Sequence, residues 1–105
     1  MSENQKIRKR KVTVMIRVKV DGKWIRKPVL YREEGKIRAG CVTIDGEERT
    51  FGVDECSYEL SYYEGGQKRL LAIGKNATEA ETQRVIRVEQ TYAAALHAAE
   101  KNMFA

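Results

Sequence analysis

The first half of the chain alternates apolar and polar residues with a period of two. The first alternating run places five apolar residues on one face: Val12, Val14, Ile16, Val18 and Val20. This pattern predicts a β-strand with one face in the core and the other in solvent. The next pair, Asp21 and Gly22, tolerates positive φ at both positions and predicts a type I′ turn into a second strand over residues 23–32. Pro28 lacks an amide hydrogen, which makes that second strand an edge strand or a bulged one.

The same alternation continues in four further runs that are separated by turn residues. They cover residues 36–44, 47–51, 56–63 and 67–73. A second Asp-Gly pair, Asp45 and Gly46, joins the first two of these runs, and Gly65 and Gly66 join the last two. The sequence therefore predicts successive antiparallel hairpins.

From Asn76 onward the apolar residues recur with the 3.6-residue period of an α-helix. They form one stripe: Val85, Val88, Tyr92, Leu96, Ala99 and Met103. Two capping boxes compete for the helix start, Asn76 with Glu79 and Thr78 with Glu81. We favour Asn76, because Glu79 and Glu81 then lie in the first turns, where the helix dipole favours negative charge. We expect the stripe to pack against the sheet, and the alanine-rich residues 93–99 to allow close approach of another element.

These elements predict an α+β fold, a small antiparallel β-sheet of three to five strands packed on one C-terminal α-helix. The chain has 105 residues, 42% of them hydrophobic, and no linker rich in proline, glycine or serine. We therefore expect one domain over residues 12–105, preceded by a flexible basic arm at residues 1–11. No uncharged run approaches the ~18 residues of a membrane span, and the polar start does not resemble a secretory signal. We expect a cytoplasmic protein with no membrane partner.

The net charge of +5 hides a steep division along the chain. Residues 1–38 hold thirteen basic and four acidic residues, a net charge of +9, whereas residues 39–105 hold seven basic and eleven acidic residues, a net charge of −4. A cationic half favours a polyanionic partner, because each neutralised phosphate releases condensed counterions. The alternative is that these lysines and arginines only solvate edge strands and prevent aggregation.

A sheet with a helix on one face leaves its other face free, and such a surface can enter the DNA major groove. Twelve basic residues are candidates for DNA contact: Arg8, Lys9, Arg10, Lys11, Arg17, Lys19, Arg26, Lys27, Arg32, Arg38, Lys68 and Arg69. The first four belong to the arm, which we expect to lie along phosphates or in the minor groove. On the sheet, arginine can read base edges, whereas lysine usually contacts phosphate.

The order of several segments resembles that of a known family. These are residues 18–24 (VKVDGKW), Tyr31 with residues 35–40 (GKIRAG), and residues 58–69 (YELSYYEGGQKR), closed by Ile73-Gly74 and a capped helix. Over about residues 11–102, the chain resembles the amino-terminal arm-type DNA-binding region of bacterial and phage tyrosine recombinases, or integrases. The resemblance implies a sheet that binds accessory DNA sites, ahead of a core-binding domain and a catalytic domain.

The resemblance also implies that the chain is a fragment of a longer recombinase, whose nucleophilic tyrosine lies in a separate domain rich in arginine and histidine. None of the five tyrosines of this chain has such a setting, and His97 is its one histidine. The sequence has no phosphate-binding Gly-x-x-x-x-Gly-Lys-Ser/Thr loop. His97 is the one histidine that a Ser-His-Asp triad could use. We expect no catalytic residues, no strand-transfer activity, no cofactor and no small-molecule substrate.

The cysteines of the chain are Cys41 and Cys56. Together with His97 they are too few for a closed zinc site unless carboxylates or a second chain contribute ligands. We expect both as small, buried, reduced side chains in strands.

The leading interpretation is a double-stranded DNA-binding module. One alternative is a protein-interaction module that docks on another recombinase subunit or domain through its alanine-rich helix or a sheet edge. A third is single-stranded nucleic acid stacked on Trp24, Tyr31 and Tyr63, although core packing explains most of the aromatic residues more simply.

Overall fold

A computed structural model describes residues 11–103, with side chains described to residue 100. In this range the elements are β1 (Thr13–Val20), β2 (Lys23–Pro28), β3 (Cys41–Ile44), β4 (Glu47–Thr50), β5 (Cys56–Glu64), β6 (Gln67–Gly74) and α1 (Ala77–Met103). Four strands form an antiparallel sheet in the order β2-β1-β5-β6, and β3 and β4 form a separate hairpin. The predicted α+β class, with hairpins and one carboxy-terminal helix, is confirmed. The predicted edge position of the Pro28 strand, β2, is also confirmed.

The Asp-Gly turns form as the sequence predicts. Asp21 and Gly22 have φ values of 50° and 78°, and Asp45 and Gly46 have values of 52° and 82°. Positive φ at both central residues is the type I′ geometry, whose twist matches that of the flanking strands. Each pair thus fixes the register of its hairpin, with Val20 opposite Lys23 in the first.

One face of the four-stranded sheet, here called the covered face, carries the core. Val14, Ile16 and Val18 on β1 lie opposite apolar residues of β5, and all are buried. The β3–β4 hairpin adds Val42 and Ile44 to the same cluster. Burying each such side chain contributes roughly 1.5–3 kcal/mol relative to leaving it in water. The alternating apolar side chains of β1 therefore point into the core, as the sequence predicts.

The helix begins at the predicted cap. The side-chain oxygen of Asn76 accepts a 2.9 Å hydrogen bond from the amide of Glu79, so Asn76 is the N-cap of α1 and Thr78 lies inside the helix. The Glu79 carboxylate accepts a bond from Gln83. Three helix residues pack with the core: Ala77, Ala80 and Val88. At 27 residues α1 is about 40 Å long, whereas the nine residues of β5 span about 30 Å. The later turns of α1 therefore extend past the core, which agrees with a radius of gyration of 16.8 Å against about 13 Å for a compact domain of this size.

The segment between β2 and β3 differs from the prediction. A second strand was expected over residues 23–32 and a third over residues 36–44, but β2 ends at Pro28 and β3 begins at Cys41. The residues between them pair with each other: the amide of Arg38 bonds the carbonyl of Leu30 at 2.8 Å, and Tyr31 and Ile37 form an isolated bridge. Pro28 cannot donate to a ladder, and the positive φ of Gly40 interrupts the extended conformation of the run over residues 36–44. The prediction of continuous strands here was wrong.

The prediction that the helical stripe packs on the sheet was wrong at its first residue. Val85 was expected to pack on the sheet but is 47% exposed, and the buried helix residue is Ala80. A small side chain lets the helix approach the sheet closely, so the contacting positions are offset from the most apolar ones. Tyr92, Leu96 and Ala99 are half-buried, and the side chain of Met103 lies outside the described residues.

The loop after β2 is fastened to α1 by a polar cluster. The hydroxyl of Tyr31 donates a 3.0 Å hydrogen bond to Glu81, and the Glu81 carboxylate accepts two more bonds from Arg84, at 2.8 and 2.7 Å. Burial and the hydrogen bond to Glu81 raise the pKa of Tyr31 to about 12. These bonds join the loop to the first turns of the helix over the covered face.

Candidate nucleic-acid interface

The second face of the four-stranded sheet, here called the open face, is not covered by α1 or by the β3–β4 hairpin. The register places Arg17 opposite Arg26 on one side and Ser57 on the other, and places Glu59 beside Met15. The charged and aromatic residues of this face are Arg17, Lys19, Trp24, Arg26, Glu59, Tyr63 and Lys68. None of them is buried, so the face is available to a ligand along its whole length.

The open face is more cationic than the rest of the described molecule. Four of its residues are basic and one, Glu59, is acidic, a net charge of +3. The remaining positions between residues 11 and 100 hold eleven basic and thirteen acidic residues, a net charge of −2. A positively charged face beside a slightly negative one concentrates a polyanion on the positive side.

Arg17 lies at the middle of the face and stacks on Trp24. Its guanidinium carbon is 4.5 Å from the centre of the indole ring, within the range of a cation–π contact. The Nε atom of Arg17 is buried and makes no hydrogen bond to any residue that the structure describes. Trp24 itself is 54% exposed, so the stacked pair stands at the surface rather than in the core.

Arg26 is held by a carboxylate from two strands away. Its Nε lies 2.6 Å from Oε1 of Glu59, and a longer contact of 3.5 Å joins Nη2 to Oε2. The bond reaches from β2 over β1 to β5. The hydrogen bond to Glu59 and the charge of that carboxylate raise the pKa of Arg26 above its ordinary value. Part of the positive charge at this edge is therefore already neutralised.

The two lysines of the open face lie at opposite ends of the sheet. Lys19 pairs with Trp24 beside the β1–β2 turn, and Lys68 pairs with Tyr63 beside the β5–β6 turn. The register separates them by eight residues of strand, or about 26 Å. Within the described residues neither lysine forms an ion pair, so both are available to phosphates. Lys11, which is exposed, precedes β1 at the Lys68 end.

The other predicted DNA-binding residues lie elsewhere. Lys27 and Arg69 are on the covered side of the sheet, opposite Ile16 and Tyr62. Arg32 and Arg38 are in the loop between β2 and β3, and Arg38 pairs with Glu48 at 2.9 Å. Arg8, Lys9 and Arg10 lie outside the described residues. Of the twelve candidates, the structure brings four onto one surface: Arg17, Lys19, Arg26 and Lys68.

Three of the charged and aromatic residues of the open face were not among the twelve predicted DNA contacts: Trp24, Glu59 and Tyr63. Trp24 supports Arg17, and Glu59 holds Arg26. The first relationship can be found from the sequence, because a two-residue turn at Asp21-Gly22 sets Lys19 opposite Trp24 and leaves Arg17 on the adjacent diagonal. The second depends on strand order, which the sequence does not reveal.

Other chemistry in the described residues is sparse. Cys41 and Cys56 are free thiols buried in β3 and β5, as predicted, and burial raises the pKa of the Cys56 thiol. His97 is exposed. No group of three or more histidine, cysteine, aspartate or glutamate residues in the described part of the chain could hold a metal ion. The described segment contains no helix with the length and apolar character needed to cross a membrane.

Comparison with protein-family models, with curated proteins and with solved structures finds no match to this chain. A functional assignment therefore depends on the residues of the open face and on what they can bind.

Proposed function

We propose that this chain is a double-stranded DNA-binding module that contacts DNA through the open face and through the basic arm of residues 1–11. One observation carries the proposal: the sheet face that no other element covers has a net charge of +3, whereas the other described residues sum to −2. If the cationic residues served only to keep edge strands soluble, the net charge of this face would have no reason to differ in sign from that of the other described residues.

The shape of the surface suits a duplex. A two-stranded β-ribbon fits the major groove, which is about 12 Å wide. The β1–β2 hairpin forms one edge of the four-stranded sheet, and Arg17, Lys19 and Arg26 project from its open side. Arginine at the centre and lysine toward the ends match the usual division between base contacts and phosphate contacts.

The resemblance to the arm-type region of tyrosine recombinases supports the same function. It places Trp24, Tyr63 and Lys68 in the segments that carry the likeness. On this proposal the parent protein is a cytoplasmic tyrosine recombinase, the DNA is an accessory recombination site, and strand transfer belongs to a separate catalytic domain. The module itself performs no chemistry.

A salt-dependent titration of a labelled duplex tests the proposal. Lys19→Glu and Lys68→Glu reverse charges on the open face, whereas Lys36→Glu and Lys75→Glu make the same change at exposed positions outside it. We expect each open-face variant to weaken binding by roughly tenfold and to reduce the slope of log affinity against log salt by about one. The two control variants should change binding much less. Equal effects in all four variants would mean that net charge, and not the open face, governs binding.

A second candidate function is docking to another protein through α1. Val85 and Ile86 are 47% and 41% exposed, and the core contacts of the helix end at Val88. A module used only for protein interaction would show no salt-linked affinity for duplex, so the same titration separates the two functions.

A further inference from the structure

We infer that Arg17 is the residue of the open face that discriminates between bases, that it recognises guanine in the major groove, and that Trp24 is its positioning residue. This inference rests on the proposed DNA-binding function. It follows from a comparison of the cationic side chains that share the face.

The other cationic groups are less suited to base recognition. Arg26 already donates to Glu59 at 2.6 Å, and a base edge would have to displace that carboxylate. Lys19 and Lys68 carry compact ammonium groups, which act as point charges and lack a planar pair of donors. Among the described residues of the open face, Arg17 is therefore the arginine without an acidic partner.

The conformation of Arg17 is also restricted by its neighbours. Its N–H donors take no part in this, because they make no hydrogen bond within the described residues. It lies on the inner strand β1, flanked by β2 and β5, and its guanidinium rests on the Trp24 ring at 4.5 Å. An arginine that is already ordered loses less side-chain entropy when it binds, and this favours a specific contact. Ser57, its register partner on β5, has a small side chain that carries no charge to compete for the guanidinium.

The hydrogen-bonding state of the guanidinium points to a bidentate ligand. Nε is buried and unpartnered, whereas the two terminal nitrogens are not buried and form no hydrogen bond within the described residues. Two parallel N–H donors match the N7 and O6 acceptors that guanine alone presents together in the major groove. Contact with the Trp24 ring restricts where the guanidinium, and with it these donors, can lie.

Selection from random duplexes, followed by affinity measurements on the selected and on unrelated sequences, tests this assignment. Arg17→Lys keeps the charge and removes the bidentate fork. We expect it to lose about ten- to a hundredfold of the preference for the selected site, because binding to that site weakens far more than binding to unrelated duplex. Trp24→Ala should lose part of the same preference. Replacing the selected guanine by 7-deazaguanine should weaken the wild type more than Arg17→Lys, because the lysine ammonium lacks the planar pair of donors that meets N7 and O6 together.

The matched control is Arg49→Lys. Arg49 also stacks on an aromatic ring, that of Phe51 at 5.1 Å, but it belongs to β4 and lies away from the open face. We expect this variant to retain the wild-type preference. If the wild type binds duplex and Arg17→Lys keeps its guanine preference, or if the wild type shows no sequence preference, the inference is wrong and the proposed function stands. If the wild type binds no duplex at all, both are wrong.

Discussion

The backbone amide of Gly40 donates a 2.9 Å hydrogen bond to the hydroxyl of Tyr58, a buried residue of the central strand β5. This bond joins the start of the β3–β4 hairpin to the four-stranded sheet, which otherwise shares no backbone ladder with it. The hairpin covers part of the core, so its attachment determines which face of the sheet remains open. The function proposed for one face thus depends on contacts made on the other.

Replacing Tyr58 by phenylalanine should weaken this attachment. Tyr58 is 2% exposed and Gly40 is buried, so the variant leaves the Gly40 amide without a partner. We expect a loss of about 1–3 kcal/mol in the free energy of unfolding, measured by urea denaturation. Tyr63→Phe is the control, since Tyr63 is 58% exposed and should change stability by less than about 0.5 kcal/mol. Equal stability of the two variants would show that the buried bond contributes nothing.

Replacing Gly40 by alanine should be more damaging than the same change at Gly35. Both glycines have positive φ, 69° and 84°, but an added methyl at Gly40 would overlap the carbonyl oxygen of Phe51, whereas at Gly35 it meets no atom within 4 Å. Gly35→Ala therefore carries only backbone strain, on the order of 1–2 kcal/mol. We expect Gly40→Ala to lose at least about 2 kcal/mol more in urea denaturation, because backbone must move to admit the methyl. A similar loss in both variants would contradict the close approach of these two segments.

The local features of this fold could be predicted from the sequence, and the long-range ones could not. The Asp21-Gly22 turn and the Asn76 cap are set by neighbouring residues, and both formed as predicted. The boundary at Pro28 was missed because the alternation continues past it, while the chain itself turns back to pair Leu30 with Arg38. The contact of Ala80 with the core was missed because periodicity ranks residues by hydrophobicity, whereas close packing of a helix on a sheet selects a small one.

The candidate site also combines features that the sequence predicts with features that depend on long-range pairing. That Arg17 and Lys19 lie on the face opposite the apolar residues of β1 follows from alternation alone. That Lys68 joins them, and that Arg69 does not, depends on the register of β6 against β5. The neutralisation of Arg26 by Glu59 depends on the strand order, since β1 separates the two strands that carry them.

Glu81 should make the stability of the protein depend on pH in the acid range. Its carboxylate accepts bonds from Arg84 and from Tyr31, and the hydrogen bond from Arg84 is the main reason that the pKa of Glu81 lies below its usual value. Because the folded-state pKa is lower than the unfolded one, this stabilisation is complete above the unfolded pKa of about 4.3 and is lost as the pH falls through the folded pKa. We expect Glu81→Gln to be less stable than wild type by about 1–2 kcal/mol at pH 7.

The measurement for this prediction is urea denaturation of wild type and Glu81→Gln between pH 7 and pH 3. The gap between the two proteins should narrow as the pH falls, because wild-type Glu81 becomes protonated and loses its charge. Glu33→Gln, a change at an exposed position in the loop after β2, serves as the control and should show little gap at any pH. A gap for Glu81→Gln that stays constant down to pH 3 would exclude an ionic contribution.

The basic arm should contribute affinity without sequence preference. Lys11 is exposed just before β1 begins, at the end of the sheet that carries Lys68. Replacing Arg8, Lys9, Arg10 and Lys11 together by alanine should weaken binding to all duplexes alike, because phosphate contacts carry no base information. The slope of log affinity against log salt should fall by about 0.9 for each phosphate that the arm no longer neutralises. The preference for a selected site over unrelated DNA should stay at its wild-type value, in contrast to Arg17→Lys. If the quadruple variant instead keeps the wild-type affinity and the wild-type salt dependence, the arm does not contact DNA. The open face alone must then supply the phosphate contacts.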